Sequence, residues 1–83
     1  MGRASRPKPA KLAEKLKQIR LSLNLSQTDI LIKLDYPIDK KEFRSVISAY
    51  ELGKREPTLI DLLKYARLAK VLVEVLIDDD LSF

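Results

Sequence analysis

Two groups of basic and hydroxyl side chains stand out in this sequence by their types and their spacing. The first is a pair of cations, Lys54 and Arg55, inside the stretch ELGKREPTL at residues 51–59. The second is a row of residues at helical spacing, namely Lys40, Lys41, Arg44, Ser45 and Ser48. Lysine and arginine bind phosphate, and all three residue types can hydrogen-bond to base edges. The two groups indicate contact with a polyanion such as DNA, although an ordinary solvated helix face would have a similar composition.

Catalytic chemistry has little support in the composition. The 83 residues include no cysteine and no histidine, which removes thiolates, disulfides, the usual zinc ligands and the commonest general base. Only Gly2 and Gly53 are glycines, so the sequence contains no glycine-rich phosphate loop. We therefore expect a protein that is not an enzyme and that uses no metal and no cofactor.

The charges are unevenly distributed along the chain. The formal net charge is +4, with seven basic residues and one acid in residues 1–20, and four acids and no base in residues 71–83. This polarity predicts a flexible basic arm at residues 1–9, where Pro7 and Pro9 disfavour helix, followed by one domain at residues 10–83 with an acidic end. Two merely solvated tails are the alternative.

No apolar run approaches the roughly 20 residues that a membrane helix needs, and the N-terminus lacks the apolar segment of a signal peptide. We therefore expect a cytoplasmic protein with no membrane contact. A domain of 83 residues buries only a modest core, so association with a second copy would stabilise it.

Apolar periodicity and capping signals predict the first two helices. Leucines and an isoleucine recur at positions 12, 16, 19 and 23, which predicts a helix over about 10–23 with lysines 11, 15 and 17 on the other face. Asn24 tolerates the left-handed conformation that ends helices. Ser26 followed by Asp29 resembles a capping box and predicts the start of the second helix.

Similar signals predict two further helices. Asp39 and Glu42 repeat the start signal, and Val46, Ile47 and Tyr50 supply an inward face, so a third helix is predicted over about 40–51. Gly53 can end it, and Pro57 prevents its continuation. Thr58 offers the N-cap of a fourth helix. Its predicted inward residues are Leu59, Leu62, Leu63 and Ala66.

The last apolar segment, residues 71–77, has the β-branched density of a strand as much as the pattern of a helix. A single strand would have nothing in this chain to pair with. We therefore expect a short helix there, and the complete fold is predicted to be all-α, a compact bundle of about five helices.

Several of these motifs occur together in one known family. They are Leu25-Ser26-Gln27, Ile47-Ser48-x-Tyr50-Glu51, Gly53-Lys54-Arg55-x-Pro57-Thr58-Leu59 and Leu62-Leu63. In this combination the chain resembles the Cro/Xre family of phage-repressor-type helix-turn-helix proteins. The resemblance covers about residues 12–77 and implies a lambda-repressor-like DNA-binding domain, commonly a homodimer on operator DNA.

The resemblance also implies roles for individual residues. Arg44, Ser45 and Ser48 match positions on the groove-facing side of the recognition helix and are expected to contact bases. Gln27 resembles a family glutamine that touches the DNA backbone, where the helix dipole also favours phosphate. Lys54 and Arg55 resemble basic turn residues near the flanking phosphates. Arg20 and Glu51 are expected to pair with each other rather than to touch DNA.

The chain departs from the family pattern between its second and third helices. Gln27 and Ile47 are twenty residues apart, where the family has about fourteen, so about six residues around 35–41 are extra. They either lengthen the turn or extend the recognition helix towards its N-terminus. We favour the extension, because Asp39 and Glu42 form a start signal. It would bring Lys41 to the bases and Lys40 to a phosphate, although the two neighbouring acids repel phosphate.

A second departure concerns the last helix. Lys70 and Leu72 stand where family members often have glycine and a serine cap, so this helix is expected to be intrinsically weak. Its exposed apolar residues could then be buried by a partner subunit. We therefore expect a homodimer in which the fourth helix and the C-terminal segment take part.

Two functions remain open from the sequence. The first is a sequence-specific DNA-binding transcriptional regulator, a repressor that docks the helix at about 40–51 in the major groove of double-stranded DNA. The second is an antitoxin or adaptor of the same fold, whose main role is to bind a partner protein such as a toxin.

Overall fold

The computed structural model of the chain describes residues 9–83, which fold into five α-helices and one short 3₁₀ helix. The α-helices are α1 (Leu12–Ser22), α2 (Gln27–Lys33), α3 (Val46–Glu51), α4 (Leu59–Ala69) and α5 (Val73–Ile77). No β-strand occurs between residues 9 and 83. The prediction of an all-α fold with about five helices is confirmed. The predicted arm at residues 1–9 lies, except for Pro9, outside the described residues.

A single apolar core joins all five helices. Helix α1 packs against α3, α4 and α5, while α2 packs against α3 and α4 against α5. Leu16 at the centre of α1 is fully buried, as are Ile30 of α2 and Leu76 of α5. Each such side chain contributes about 1.5–3 kcal/mol by leaving water. No helix in the described part of the chain is long and apolar enough to cross a membrane.

Two helices begin with the side-chain caps that the sequence predicts. The Ser26 hydroxyl accepts a hydrogen bond from the Asp29 amide at 3.0 Å, and the Asp29 carboxylate accepts one from the Ser26 amide at 2.9 Å. These two bonds complete a capping box at the start of α2. They also hold the pKa of Asp29 below its usual value. At the start of α4, Thr58 Oγ1 accepts from the Asp61 amide at 3.1 Å.

Four helices end in the same way. A left-handed residue follows each of α1 to α4, as the second residue after the first three helices and as the first residue after α4. The φ angles are 56° at Asn24, 66° at Asp35, 73° at Gly53 and 59° at Lys70. The next residue then donates its amide to a carbonyl five positions back, as Lys54 does to Ala49 at 3.0 Å. This is the Schellman arrangement, which satisfies carbonyls that a helix end leaves free. The sequence predicted left-handed helix ends at Asn24 and Gly53.

The predicted continuous helix over 40–51 is wrong. Lys41–Phe43 forms a separate 3₁₀ helix, and α3 begins only at Val46. Lys40 is extended, with φ −96° and ψ 118°, and no side chain caps the 3₁₀ helix. Residues 38–42 are all exposed, so an α-helix there would gain little from burial, and short helices without a buried face are unstable in water. The extra residues therefore lengthen the connection, which runs over residues 34–45.

Two further inward and outward assignments are also wrong. Leu59, the first residue of α4, was expected to face the core, but it is 76% exposed. Lys15 was placed on the outer face of α1, but it is only 5% exposed. Its position follows from a contact with α5 that no local pattern predicts.

The last helix forms as expected, and contacts with α1 compensate for its missing cap. Leu72, at the N-cap, makes no capping bond with its side chain. At the other end of α5, Lys15 Nζ donates to the carbonyl oxygens of Val75 at 2.7 Å and Asp78 at 2.8 Å. Asp79 in turn accepts hydrogen bonds from the amides of residues 10 and 11 at the start of α1, both at 3.0 Å. Helices α1 and α5 thus cap each other.

Candidate functional site

Of the four residues that the sequence assigned to base contacts, only Ser48 lies in α3. Arg44 and Ser45 directly precede it, and Lys41 lies in the 3₁₀ helix. Val46, Ile47 and Tyr50 are buried, whereas Arg44 and Ser45 are exposed and Ser48 is half-buried. Arg44 has helical angles, φ −61° and ψ −30°, but Ser45, with φ −97° and ψ 2°, separates it from α3. The Ser45 carbonyl accepts the first α3 hydrogen bond, from Ala49 at 2.9 Å.

Exposed cations lie on both sides of α3. Lys40 and Lys41 precede it in the connection, and Lys54 and Arg55 follow it in the turn. Their side chains, like that of Arg44, make no hydrogen bond or ion pair with any other residue from 9 to 83. The turn itself is held in place, because the amides of Lys54 and Arg55 both donate to the Ala49 carbonyl, at 3.0 and 3.3 Å.

The negative charges near these cations are only partly neutralised. Asp39 and Glu42 are exposed and stand next to the lysines of the connection. Glu51, at the end of α3, is instead engaged by Arg20. The turn carries Lys54 and Arg55 against one acid, Glu56, whereas the two lysines of the connection stand beside two acids. The formal charge is therefore more positive at the turn and at Arg44 than around Lys40 and Lys41.

The expected pair of Arg20 and Glu51 is present and includes a third residue. Arg20 Nε and Nη2 donate to the two carboxylate oxygens of Glu51 at 2.7 and 3.1 Å. The pKa of Arg20 is raised, chiefly by this hydrogen bonding. Gln27 Nε2 also donates to Glu51, at 3.3 Å. Gln27 therefore has an internal partner, and its contact with a DNA phosphate stays a prediction.

Arg20 also holds the first interhelical connection. Its Nη1 donates to the Leu25 carbonyl at 3.1 Å, just before the capping box of α2. The guanidinium thus links the end of α1, the start of α2 and the end of α3. Because two of its bonds go to a carboxylate, this link is stronger than a set of neutral hydrogen bonds.

A buried carboxylate, Asp61, lies beneath α3, and its role was missed in the sequence. It is 3% exposed, and its Oδ2 accepts hydrogen bonds from the hydroxyls of Tyr36 and Tyr50, each at 2.6 Å. Burial, together with the hydrogen bond to Asp61, raises the pKa of both tyrosines. The available signal was an aspartate in the first turn of α4 together with Tyr50, which was expected on the inward face of the third helix; no pattern indicated Tyr36.

A second residue of α4, Lys64, contacts the connection between α2 and α3. Its Nζ donates to the Leu34 carbonyl at 3.0 Å and lies 3.0 Å from Asp35 Oδ2. Farther along, the rings of Tyr36 and Phe43 pack with their centroids 5.2 Å apart. The connection is thus attached to α4 at its beginning and folded back on itself through two aromatic rings.

Two open clefts lie on the surface. One of about 270 Å³ is bordered by Pro9, Ala13, Gly53 and Arg55, among others, and one of about 470 Å³ lies between α1 and residues 79–83. Neither lining contains a hydroxyl or thiol nucleophile beside an imidazole base. No group of three or more potential metal ligands occurs within residues 9–83. The chemistry that the exposed residues offer is hydrogen bonding and charge attraction along a surface.

Comparison with known proteins adds no relative to this description. No protein-family model, no curated protein and no solved structure matches the chain.

Proposed function

We propose that the chain is a sequence-specific DNA-binding transcriptional regulator, a repressor of the Cro/Xre helix-turn-helix type. The observation that carries the proposal is a set of exposed cations whose side chains form no hydrogen bond or ion pair within residues 9–83. They are Arg44 before α3 and Lys54 and Arg55 after it, and Ser45 and Ser48 lie between them. Because these cations form no ion pair within residues 9–83, their charge is available to bind phosphate. Hydroxyls and a guanidinium between them can read base edges.

In this proposal α2 and α3 form the helix-turn-helix, and α3 docks in the major groove. An α-helix is about 10–12 Å wide with its side chains, which matches a groove about 12 Å wide. Six residues make α3 about 9 Å long, so cations at its two ends can reach the phosphates on either side. Arg44, Ser45 and Ser48 are the proposed base contacts. Lys41 was assigned to the bases on the expectation that the helix extends over it; since it lies in the connection instead, it is proposed as a phosphate contact beside Lys40. The other proposed phosphate contacts are Gln27, Lys40, Lys54 and Arg55.

The proposal includes a homodimer on a near-palindromic operator. Paired recognition helices about 34 Å apart would enter successive major grooves on one side of the duplex, and bound protein would exclude polymerase. Leu52, Leu59 and Ile60 support an association surface, because they flank the basic turn and are 64%, 76% and 60% exposed. Large exposed aliphatic side chains in one region commonly mark an interface. Sedimentation that gives only monomer at high micromolar concentration would remove this part of the proposal.

Selection from a random duplex library tests the proposal directly. We expect one enriched sequence with two related halves, and binding that weakens with salt by about 0.9 in the log–log slope for each phosphate contact. Arg44→Ala should cost about 1–3 kcal/mol on the selected site and relax its selectivity, whereas Lys54→Ala should weaken all duplexes alike.

Matched controls separate a specific contact from the loss of one positive charge. Arg67→Ala removes an exposed arginine from α4, and Lys17→Ala removes an exposed lysine from α1. Both should leave the affinity nearly unchanged. Equal effects of Arg44→Ala and Arg67→Ala would place the DNA on a different face.

A second candidate function is an antitoxin or adaptor that binds a partner protein. The same exposed apolar residues favour it, since a partner protein could cover them as well as a second copy could. Failure to enrich any duplex sequence, together with a stoichiometric complex with a purified partner that Leu59→Ser and Ile60→Ser abolish, would support this function instead.

A further inference from the structure

We propose that Tyr36 and Asp61 are positioning residues for DNA contact, because they hold the connection of residues 34–45 in the shape that presents Lys40 and Lys41. The inference rests on the proposed function and deepens it. The extra residues between α2 and α3 then form an ordered extension of the DNA-binding surface. The ligand of this extension is the phosphate of a DNA duplex.

The first half of the connection is attached to α4. Leu34 is buried, and its carbonyl accepts a hydrogen bond from Lys64 Nζ at 3.0 Å. Two residues later, the Tyr36 hydroxyl donates to Asp61 Oδ2 at 2.6 Å. A short hydrogen bond to a carboxylate shielded from water is among the stronger ones available to a neutral donor. Tyr36 therefore has a defined position relative to α4.

The second half of the connection is attached to Tyr36. The Phe43 ring packs against the Tyr36 ring at a centroid distance of 5.2 Å and an angle of 44°. Between the two rings the backbone turns twice, with Lys40 donating to Pro37 at 3.4 Å and Phe43 donating to Lys40 at 3.2 Å. Residues 36 and 43 thus close a loop, and Lys40 and Lys41 lie in its exposed part.

Phe43 also packs against the apolar core, but between the two rings no side chain holds the loop in place. Between residues 37 and 45 no side chain hydrogen-bonds to another residue of the described chain, and residues 37–42 are all exposed. Tyr50 donates to the same Asp61 oxygen, also at 2.6 Å. It belongs to α3, however, where Val46 and Ile47 are buried independently of it. Loss of the Tyr36 hydroxyl should therefore loosen the loop, whereas loss of the Tyr50 hydroxyl should not.

An ordered loop matters for binding because side chains that are already in place lose less conformational freedom when they meet the ligand. Lys40 and Lys41 stand next to Asp39 and Glu42. Only a fixed arrangement can turn the lysines towards phosphate and the acids away from it. By ordering the loop, the Tyr36 hydroxyl increases the number of phosphates that the protein engages, although it does not itself contact DNA.

The test compares Tyr36→Phe with Tyr50→Phe, which remove hydroxyls that donate at equal distance to one carboxylate oxygen. When one phosphate is no longer engaged, the ratio of Kd at 200 mM salt to Kd at 50 mM salt falls by about 3.5-fold. We expect a reduction of at least this size for Tyr36→Phe and none for Tyr50→Phe. Phe43→Leu, which keeps apolar volume but removes the aromatic ring, should behave like Tyr36→Phe.

A double-mutant cycle decides whether Tyr36 acts through the two lysines. In a Lys40→Ala, Lys41→Ala background, Tyr36→Phe should change neither the affinity nor the salt ratio further. Hydrogen exchange on the free protein should show faster exchange of the Phe43 and Arg44 amides in Tyr36→Phe only.

The two proposals fail in different ways. If the unmodified protein binds no duplex at all, the proposed function is overturned and this inference with it. If it binds, but the effects of Tyr36→Phe add to those of the lysine substitutions or match those of Tyr50→Phe, the inference alone is overturned.

Discussion

Removal of the Tyr65 hydroxyl should stabilise the protein, in contrast to most substitutions in a core. Tyr65 lies in α4 with none of its surface exposed, and its Oη has no hydrogen-bond partner within residues 9–83. Burial also raises its pKa, which shows how poorly the surroundings would tolerate the charged form. Tyr65→Phe keeps the ring and its packing and removes only the oxygen.

The size of the effect follows from the cost of a buried polar group. A hydroxyl that exchanges water for an apolar environment without a hydrogen bond costs about 1–3 kcal/mol. The oxygen leaves little empty space behind, so we expect a gain of about 1–2 kcal/mol. In a domain of this size each 1 kcal/mol raises Tm by about 4–8 °C.

Tyr50→Phe is the matched control, because it removes the same atom from the same residue type. The Tyr50 hydroxyl donates to Asp61 at 2.6 Å, and a hydrogen bond to a charged group is worth about 1.5–3 kcal/mol. Thermal and urea unfolding, followed by far-ultraviolet circular dichroism, should therefore shift in opposite directions for the two variants. A Tyr65→Phe protein no more stable than the unmodified one would refute the reasoning and show that the hydroxyl has a partner.

Three other predictions concern α5 and its contacts with α1. Lys15→Met should lower the free energy of unfolding in urea by about 2–4 kcal/mol, since two carbonyls lose a charged donor; a decrease below about 0.5 kcal/mol would contradict this. Leu72→Ser should raise it by about 1 kcal/mol by adding an N-cap, and an unchanged urea midpoint would count against the cap. The pKa of Asp79 is lowered by the amides of residues 10 and 11. Its contribution is thus present above about pH 4 and lost as the pH falls through the folded pKa. The difference in urea midpoint from Asp79→Asn should therefore be full at pH 6 and shrink below about pH 4; a constant difference would exclude this linkage.

Features that depend on neighbouring residues were predictable from the sequence. Ser26 with Asp29, Thr58, Asn24 and Gly53 act within a few positions of the helix ends that they define, so the pattern alone identifies them. The capping pattern of Asp39 and Glu42, by contrast, predicted an α-helix start that the structure does not have. A capping pattern starts a helix only where the following turn also has a face to bury, and that turn is exposed.

Contacts between distant positions were not predictable in the same way. Lys15 and the Val75 carbonyl are 60 residues apart, and the Ala10 amide and Asp79 are 69 apart. In the sequence Asp61 is only the third residue after the Thr58 cap, whereas the structure gives it two tyrosine partners, one of them in the connection. The pair of Arg20 and Glu51, 31 positions apart, was expected only because of the family resemblance.

The exposed site residues were predictable from their type and their spacing. Arg44, Lys54 and Arg55 are exposed, as their expected roles require. The shape of the surface around them was not predictable, because it depends on Tyr36, which no spacing rule connects to Asp61. The length of α3 also belongs to this class, since it depends on where the connection packs.

The mutual capping of α1 and α5 has a consequence for synthesis on the ribosome. Helix α1 emerges early, but its buried ammonium, Lys15, finds its acceptors only at Val75 and Asp78. Until those residues leave the exit tunnel, Lys15 must stay solvated, and α1 cannot settle fully against the other helices. Contacts so far apart in sequence close late in folding. The domain should therefore complete its fold only after Val75 and Asp78 have left the exit tunnel.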